Sequence, residues 1–134
     1  MPSVKLSKIV KDFSLDKLYY LYEHDQVEIC TTDINRPGLQ LAGFFEYFGN
    51  DRMQVIGKVE MTYLGELDSA QRYKSLFELF STGIPCIVLA RGMEPFPEML
   101  QVAKECNVPL LRTDDVTSRF SSSLIAYLNV ELAP

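Results

Sequence analysis

The chain is 134 residues long, 47% hydrophobic, and carries thirteen Lys and Arg against eighteen Asp and Glu, for a net charge of −5 and a pI near 4.8. This excludes a global basic field for nucleic acid, and no apolar run is long enough to span a membrane. Its length suits one domain of about 7,000 Å² folded surface, large enough to bury an ordinary core without metal or disulfide support.

The N-terminus, Met1-Pro2-Ser3-Val4-Lys5, has no signal-peptide core. Leu6, Ile9, Val10 and Phe13 recur at helical spacing, with Ser3 placed as an N-cap. Leu18 to Tyr22 and Val27 to Thr31 read as strands around a solvated turn, Glu23-His24-Asp25. Pro37 then starts a helix with Leu39, Ala42, Phe45 and Phe48 on its inner face, ended by Gly49-Asn50. With Phe44 and Tyr47 on the same helix, two of its faces are apolar. This predicts deep burial or contact with another chain.

Further along, Met53 to Ile56 is a short strand and Val59 to Leu64 a helical turn. Asp68 caps the next helix, whose stripe is Ala70, Tyr73, Phe77 and Phe80; Gly83 and Pro85 end it. Cys86 to Ala90 is continuous, β-branched and apolar, as a strand buried on both faces requires. Pro95 and Pro97 open a helix with Phe96, Met99, Leu100, Ala103 and Cys106. Val108 to Arg112 is a strand, and Asp114-Asp115 cap a final helix built on Val116, Phe120, Leu124, Tyr127 and Leu128. Strands alternating with helices through short joints predict an α/β/α sandwich around a mostly parallel sheet. The last helix runs almost to Pro134, as in a fragment cut at a domain edge.

Catalytic motifs are missing. Gly57-Lys58 is the nearest approach to a P-loop, but position 52 is Arg52 and the hydroxyl position is Val59. No two of the seven glycines are separated by one residue, so there is no dinucleotide fingerprint. His24, the one histidine, stands outside any triad order, and no metal-ligand spacing occurs. Cys30, Cys86 and Cys106 read as packing thiols in a reducing cytoplasm, Cys30 being the one nearest exposure.

One distribution points to a ligand. In a parallel sheet the carboxyl ends of the strands face helix N-termini, which favour anions. Arg36, Lys58, Arg91 and Arg112 fall at such ends, and with Asn35, Gly38 and Gly92 they form a candidate phosphate-binding set. Each cation also has an acid near in sequence (Asp33, Glu60, Glu94, Asp114 with Asp115), so local ion pairing or helix-end electrostatics explains the pattern without a ligand and is the favoured reading.

The blocks Asp33-Ile34-Asn35-Arg36-Pro37-Gly38-Leu39-Gln40-Leu41-Ala42-Gly43-Phe44-Phe45-Glu46-Tyr47-Phe48 and Arg52-Met53-Gln54-Val55-Ile56-Gly57-Lys58-Val59-Glu60 resemble the N-terminal domain of bacterial HPr kinase/phosphorylase. So do Tyr63-Leu64, Gly83-Ile84-Pro85-Cys86-Ile87-Val88, Val108-Pro109-Leu110-Leu111-Arg112-Thr113 and Leu132-Ala133-Pro134. The resemblance implies a cytoplasmic regulator of carbon catabolite repression that uses ATP and magnesium to phosphorylate a serine of HPr, a carrier of the sugar phosphotransferase system, and removes that phosphate by phosphorolysis. It places the P-loop in a separate C-terminal kinase domain, through which hexamers assemble, so residues 1–134 would be one accessory domain with no catalytic, cofactor or metal residue of its own. It also implies a fold similar to the N-terminal domain of muramoyl-peptide ligases. Alternative roles are sensing a phosphorylated metabolite or nucleotide at the strand ends, or a purely structural interaction module.

Overall fold

The computed structural model describes residues 2–134. Its accessible surface is 6954 Å², matching the expectation from length. The elements are β1 (Val4–Lys5), α1 (Leu6–Asp12), β2 (Asp16–Tyr19), a 3₁₀ turn (Tyr22–Gln26), β3 (Glu28–Ile29), β4 (Ile34–Asn35), α2 (Gly38–Leu41), β5 (Met53–Ile56), α3 (Lys58–Glu66), α4 (Ser69–Phe80), β6 (Ile87–Leu89), α5 (Pro97–Cys106), β7 (Leu110–Arg112) and α6 (Thr117–Glu131).

The central sheet has the order β2-β7-β6-β5-β4, and β1 with β3 forms a separate antiparallel pair. Strands β4 to β7 are parallel and neighbour one another in chain order; β2 is antiparallel to β7 at one edge. Alternating side chains explain why the strand sequences are apolar throughout. Val55, Val88 and Leu111 face a core with Leu6, Ile9 and Val10 of α1 and Phe120, Leu124 and Leu128 of α6. Ile56, Leu89 and Leu110 face a second core with Leu76, Leu79 and Phe80 of α4 and Met99, Val102 and Ala103 of α5. The crossover helices thus cover one face and the first and last helices the other, giving the expected α/β/α sandwich.

Several local expectations are corrected. Lys5, not Ser3, occupies the N-cap of α1; the Ser3 hydroxyl instead bonds Glu28. The Tyr-rich stretch is not one strand, because β2 ends at Tyr19 and a 3₁₀ turn begins at Tyr22. The helix after Pro37 lasts four residues, since Gly43 turns to φ +98° and Tyr47 to φ +61°. Phe45 and Phe48 still pack inward, whereas Tyr47 is 95% exposed and Leu39 and Phe44 are exposed as well. On α4 the Asp68 carboxylate accepts from the Gln71 amide as expected, but Leu76, Leu79 and Phe80 are buried while Ala70 and Phe77 are exposed. Val116 is the N-cap of α6; Asp115 Oδ1 accepts from the Val116 amide and from Arg119.

Phe120 is the hinge of the first core, 1% exposed and edge-on to Phe13 at 5.5 Å. Phe120→Ala removes this packing, and urea unfolding is expected to show a loss of about 3–5 kcal/mol.

Candidate functional site

The carboxyl edge of the parallel strands is organised by one buried acid. Glu60 lies in the first turn of α3, and its carboxylate accepts from the Gly57 amide at 2.6 Å. The same carboxylate binds Arg36 Nη2, at 2.7 Å to Oε1 and 3.0 Å to Oε2. Glu60 is buried while Arg36 is partly open, so the acid fixes one end of the guanidinium and leaves the rest at the surface. The spacing Gly57-x-x-Glu60 is that of a helix-capping pair, the signal in the sequence that identifies this acid.

Gly57 is required here by close approach rather than by backbone conformation. A Cβ at this position would lie 2.5 Å from Thr117 Oγ1, 2.7 Å from Arg36 Nη2 and 2.9 Å from Thr117 Cγ2. The N-terminus of α6, the end of β4 and the start of α3 therefore meet over Gly57. Thr117 was not among the residues expected from sequence, because nothing in one chain's text brings residue 117 to residue 57.

The seven residues of the expected set separate. Arg36 and Gly38 adjoin Glu60, a Cβ on Gly38 being 3.9 Å from Glu60 Oε2. Asn35 is turned to the sheet, donating to Gln40 Oε1 at 3.0 Å and Gln54 Oε1 at 2.7 Å. Arg112 is held at the β2–β7 edge by Asp16 at 3.0 Å and Glu94 at 3.3 Å. Lys58 and Arg91 are exposed and make no ion pair among the described residues. Arg91 is left-handed, φ +60°, followed by Gly92 at φ +62°. Their amides bond Asp115 O and Thr113 O, which ties the β6 exit to the β7 exit.

The ion pairs are not those of sequence proximity. Arg36 pairs with Glu60 rather than Asp33, which lies by Arg52. Asp115 pairs with Arg119. The Gly57-Lys58 junction does hand a strand to a helix, but its amide is taken by Glu60. Among the described residues, no group of three or more His, Cys, Asp or Glu is placed to hold a metal ion.

The opposite, amino edge carries a cavity of about 370 Å³ lined in part by His24, Cys30, Asp51 and Asn107. His24 is buried, not solvated as the turn reading predicts. Its Nδ1 accepts from the Leu21 amide at 2.8 Å, so Nε2 carries the proton and donates to Asn107 Oδ1 at 3.0 Å. Tyr19 and Tyr20 pack edge-on to the ring. His24 therefore locks the 3₁₀ turn to the C-cap of α5. Cys86 is buried as expected, whereas Cys30 is exposed rather than packed.

Two outcomes follow from this geometry. Gly57→Ala forces Arg36 and Thr117 apart, and chemical denaturation is expected to show a loss of about 1–3 kcal/mol, partly recovered by adding Thr117→Ala. Burial pushes the Cys86 thiol up to about 12 and raises Cys106 as well. A thiol reagent in mildly alkaline solution should label Cys30 first, Cys106 later, and Cys86 only on unfolding.

Residues 4–128 match the family model described as HPr Serine kinase N terminus. The chain is 43% identical to the HPr kinase/phosphorylase of Caldicellulosiruptor bescii over 129 residues, covering 96% of this chain and 42% of that protein. It is 43% identical to the HPr kinase/phosphorylase of Clostridium perfringens strain 13 over 131 residues, 98% of this chain and 42% of the relative. The chain thus spans less than half the length of these relatives. A solved structure of the CBS and DRTGG domains from the regulatory region of Clostridium perfringens pyrophosphatase, complexed with diadenosine tetraphosphate, superposes with a TM-score of 0.62 at 18% identity, covering 97% of this chain and 47% of that one. That likeness shows a shared fold. With a match running through almost every element from β1 to α6, the chain belongs to the HPr serine kinase N-terminal family.

Proposed function

We propose that this chain is a non-catalytic domain that positions, assembles or regulates the kinase of an HPr kinase/phosphorylase. The observation that carries the reading is the match of residues 4–128 to the N terminus of HPr serine kinase, set beside relatives more than twice as long. The Gly57-Lys58 junction supports it, because Glu60 closes the one strand-to-helix turn that comes near a phosphate loop. In this reading ATP and magnesium are bound by a separate C-terminal P-loop domain, and HPr is the phosphoryl acceptor. Full-length subunits form hexamers in the cytoplasm, where the activity serves carbon catabolite repression. A regulatory role also accords with the fold neighbour, whose own description is of a regulatory region.

The test is direct. Incubating the 134-residue chain with ATP, magnesium and HPr is expected to yield no phosphoserine, while a full-length relative does. Removing the matching N-terminal region from that relative should leave phosphoryl transfer to HPr detectable. Labelling by the isolated chain, or complete loss from the shortened relative with its fold intact, overturns the reading.

A further inference from the structure

Two donors converge on Gly57, itself buried, without bonding each other or a common acceptor. Thr117 is 7% exposed and its hydroxyl makes no side-chain hydrogen bond among the described residues. Its Oγ1 and Arg36 Nη2 border the same point, 2.5 and 2.7 Å from where a Cβ would stand. Among the described residues Ser121 Oγ is the one fully enclosed side-chain polar atom without a partner, so the Thr117 hydroxyl keeps contact with solvent and is within reach of a ligand. Glu60 uses only Nη2 of Arg36, so the guanidinium is oriented while its other nitrogens stay free to donate.

Arg91 completes the arrangement. Ala90 donates to Ile56 O, one residue before Gly57, and Arg91 donates to Asp115 O, two residues before Thr117. The Arg91 backbone is thereby fixed between the two, in a left-handed conformation that a non-glycine residue adopts at some cost. Its side chain is exposed and makes no ion pair among the described residues. The first-turn amides of α6, a fifteen-residue helix, open on the same edge. The acids nearby are Glu60, matched by Arg36; Asp115, matched by Arg119; and Asp114, whose Oδ1 lies 3.2 Å from where a Cβ on Gly92 would stand and whose charge acts on Arg112.

We propose that Arg36 and the Thr117 hydroxyl, which meet over Gly57, bind a single dianionic phosphoryl group together with Arg91, whose backbone is fixed beside them at the carboxyl edge of the sheet. Two guanidinium groups supply charge-assisted donors and the hydroxyl a third, which suits one phosphoryl group and not a magnesium-bound triphosphate. Free phosphate and the phosphate of a small monoester share this chemistry. Binding here is separate from phosphoryl transfer to HPr, so failure of one leaves the other standing.

Titration of the 134-residue chain, followed by amide chemical shifts, tests the site with inorganic phosphate and with ribose 5-phosphate, using sodium chloride at matched ionic strength as control. Saturating shifts at Gly57, Arg91, Gly92 and Thr117 are expected by about 10 mM of either probe, and not with chloride. Tighter binding of the ester assigns the site to a metabolite, and binding of phosphate alone assigns it to the free ion. Thr117→Val and Arg91→Gly should each weaken binding about five- to tenfold with the spectrum otherwise preserved. The glycine suits the left-handed backbone, so this second variant keeps the fold. Absence of saturation by both probes, or unchanged affinity in both variants, overturns the proposal.

Discussion

The buried carboxylate of Glu60 is the constraint on which the carboxyl edge depends. Taking a carboxylate out of water is costly unless hydrogen bonds and an opposite charge replace the water. Here the replacements come from the Gly57 amide, which starts α3, and from Arg36, which ends β4. One acid therefore sets the entry angle of α3 and anchors the edge strand's exit to it. Because Arg36 remains partly solvated, the pair is not a fully buried ion pair, and its worth lies as much in geometry as in energy. Gly57 follows from the same contact: with the guanidinium and Thr117 drawn in from opposite sides, no side chain fits between them.

The other edge of the sheet is held by neutral groups. Asn107 takes the left-handed conformation that closes α5, and its side-chain oxygen accepts from both Tyr19 and His24. Tyr19, His24 and Asn107 thereby join β2, the 3₁₀ turn and α5. This explains how a single antiparallel strand can close a parallel sheet without a long apolar sequence of its own. Charge organises one end of the sandwich and amide–imidazole bonding the other. Of the polar side chains bounding the cavity at the amino edge, His24, Asn107 and Glu28 are engaged, whereas Asp51 and Cys30 make no side-chain hydrogen bond among the described residues.

What could be read from sequence divides along the same lines. Strand β6 was plain because Cys86 to Ala90 is apolar on both faces, and the Asp68 cap was plain because its partner is three residues away. The α4 stripe was not, since Tyr73-Lys74-Ser75-Leu76-Phe77 offers two overlapping apolar registers and only the α5 surface selects Leu76 and Leu79. The helix after Pro37 failed on Gly43: a pattern of apolar spacing carries no information about a φ of +98°. His24 looked solvated because its neighbours are Glu23 and Asp25, yet its partner is Asn107, 83 residues on.

The same reasoning bears on the cations. Pairing each with the acid nearest in sequence treats them alike, as a neutralised surface. In space the pairs span 24 residues for Arg36 and Glu60 and 96 for Arg112 and Asp16, and they divide the cations into two kinds. Arg112 is enclosed by carboxylates and a carbonyl and serves the sheet edge. Arg36 is oriented by a single buried acid from behind, and Arg91 by backbone bonds alone. An arginine held from behind with its free nitrogens outward is presented, whereas one ringed by acids is consumed. An acidic chain can therefore carry a locally receptive cationic edge: net charge averages over pairs, and it is long-range pairing that decides which positive groups are left to act.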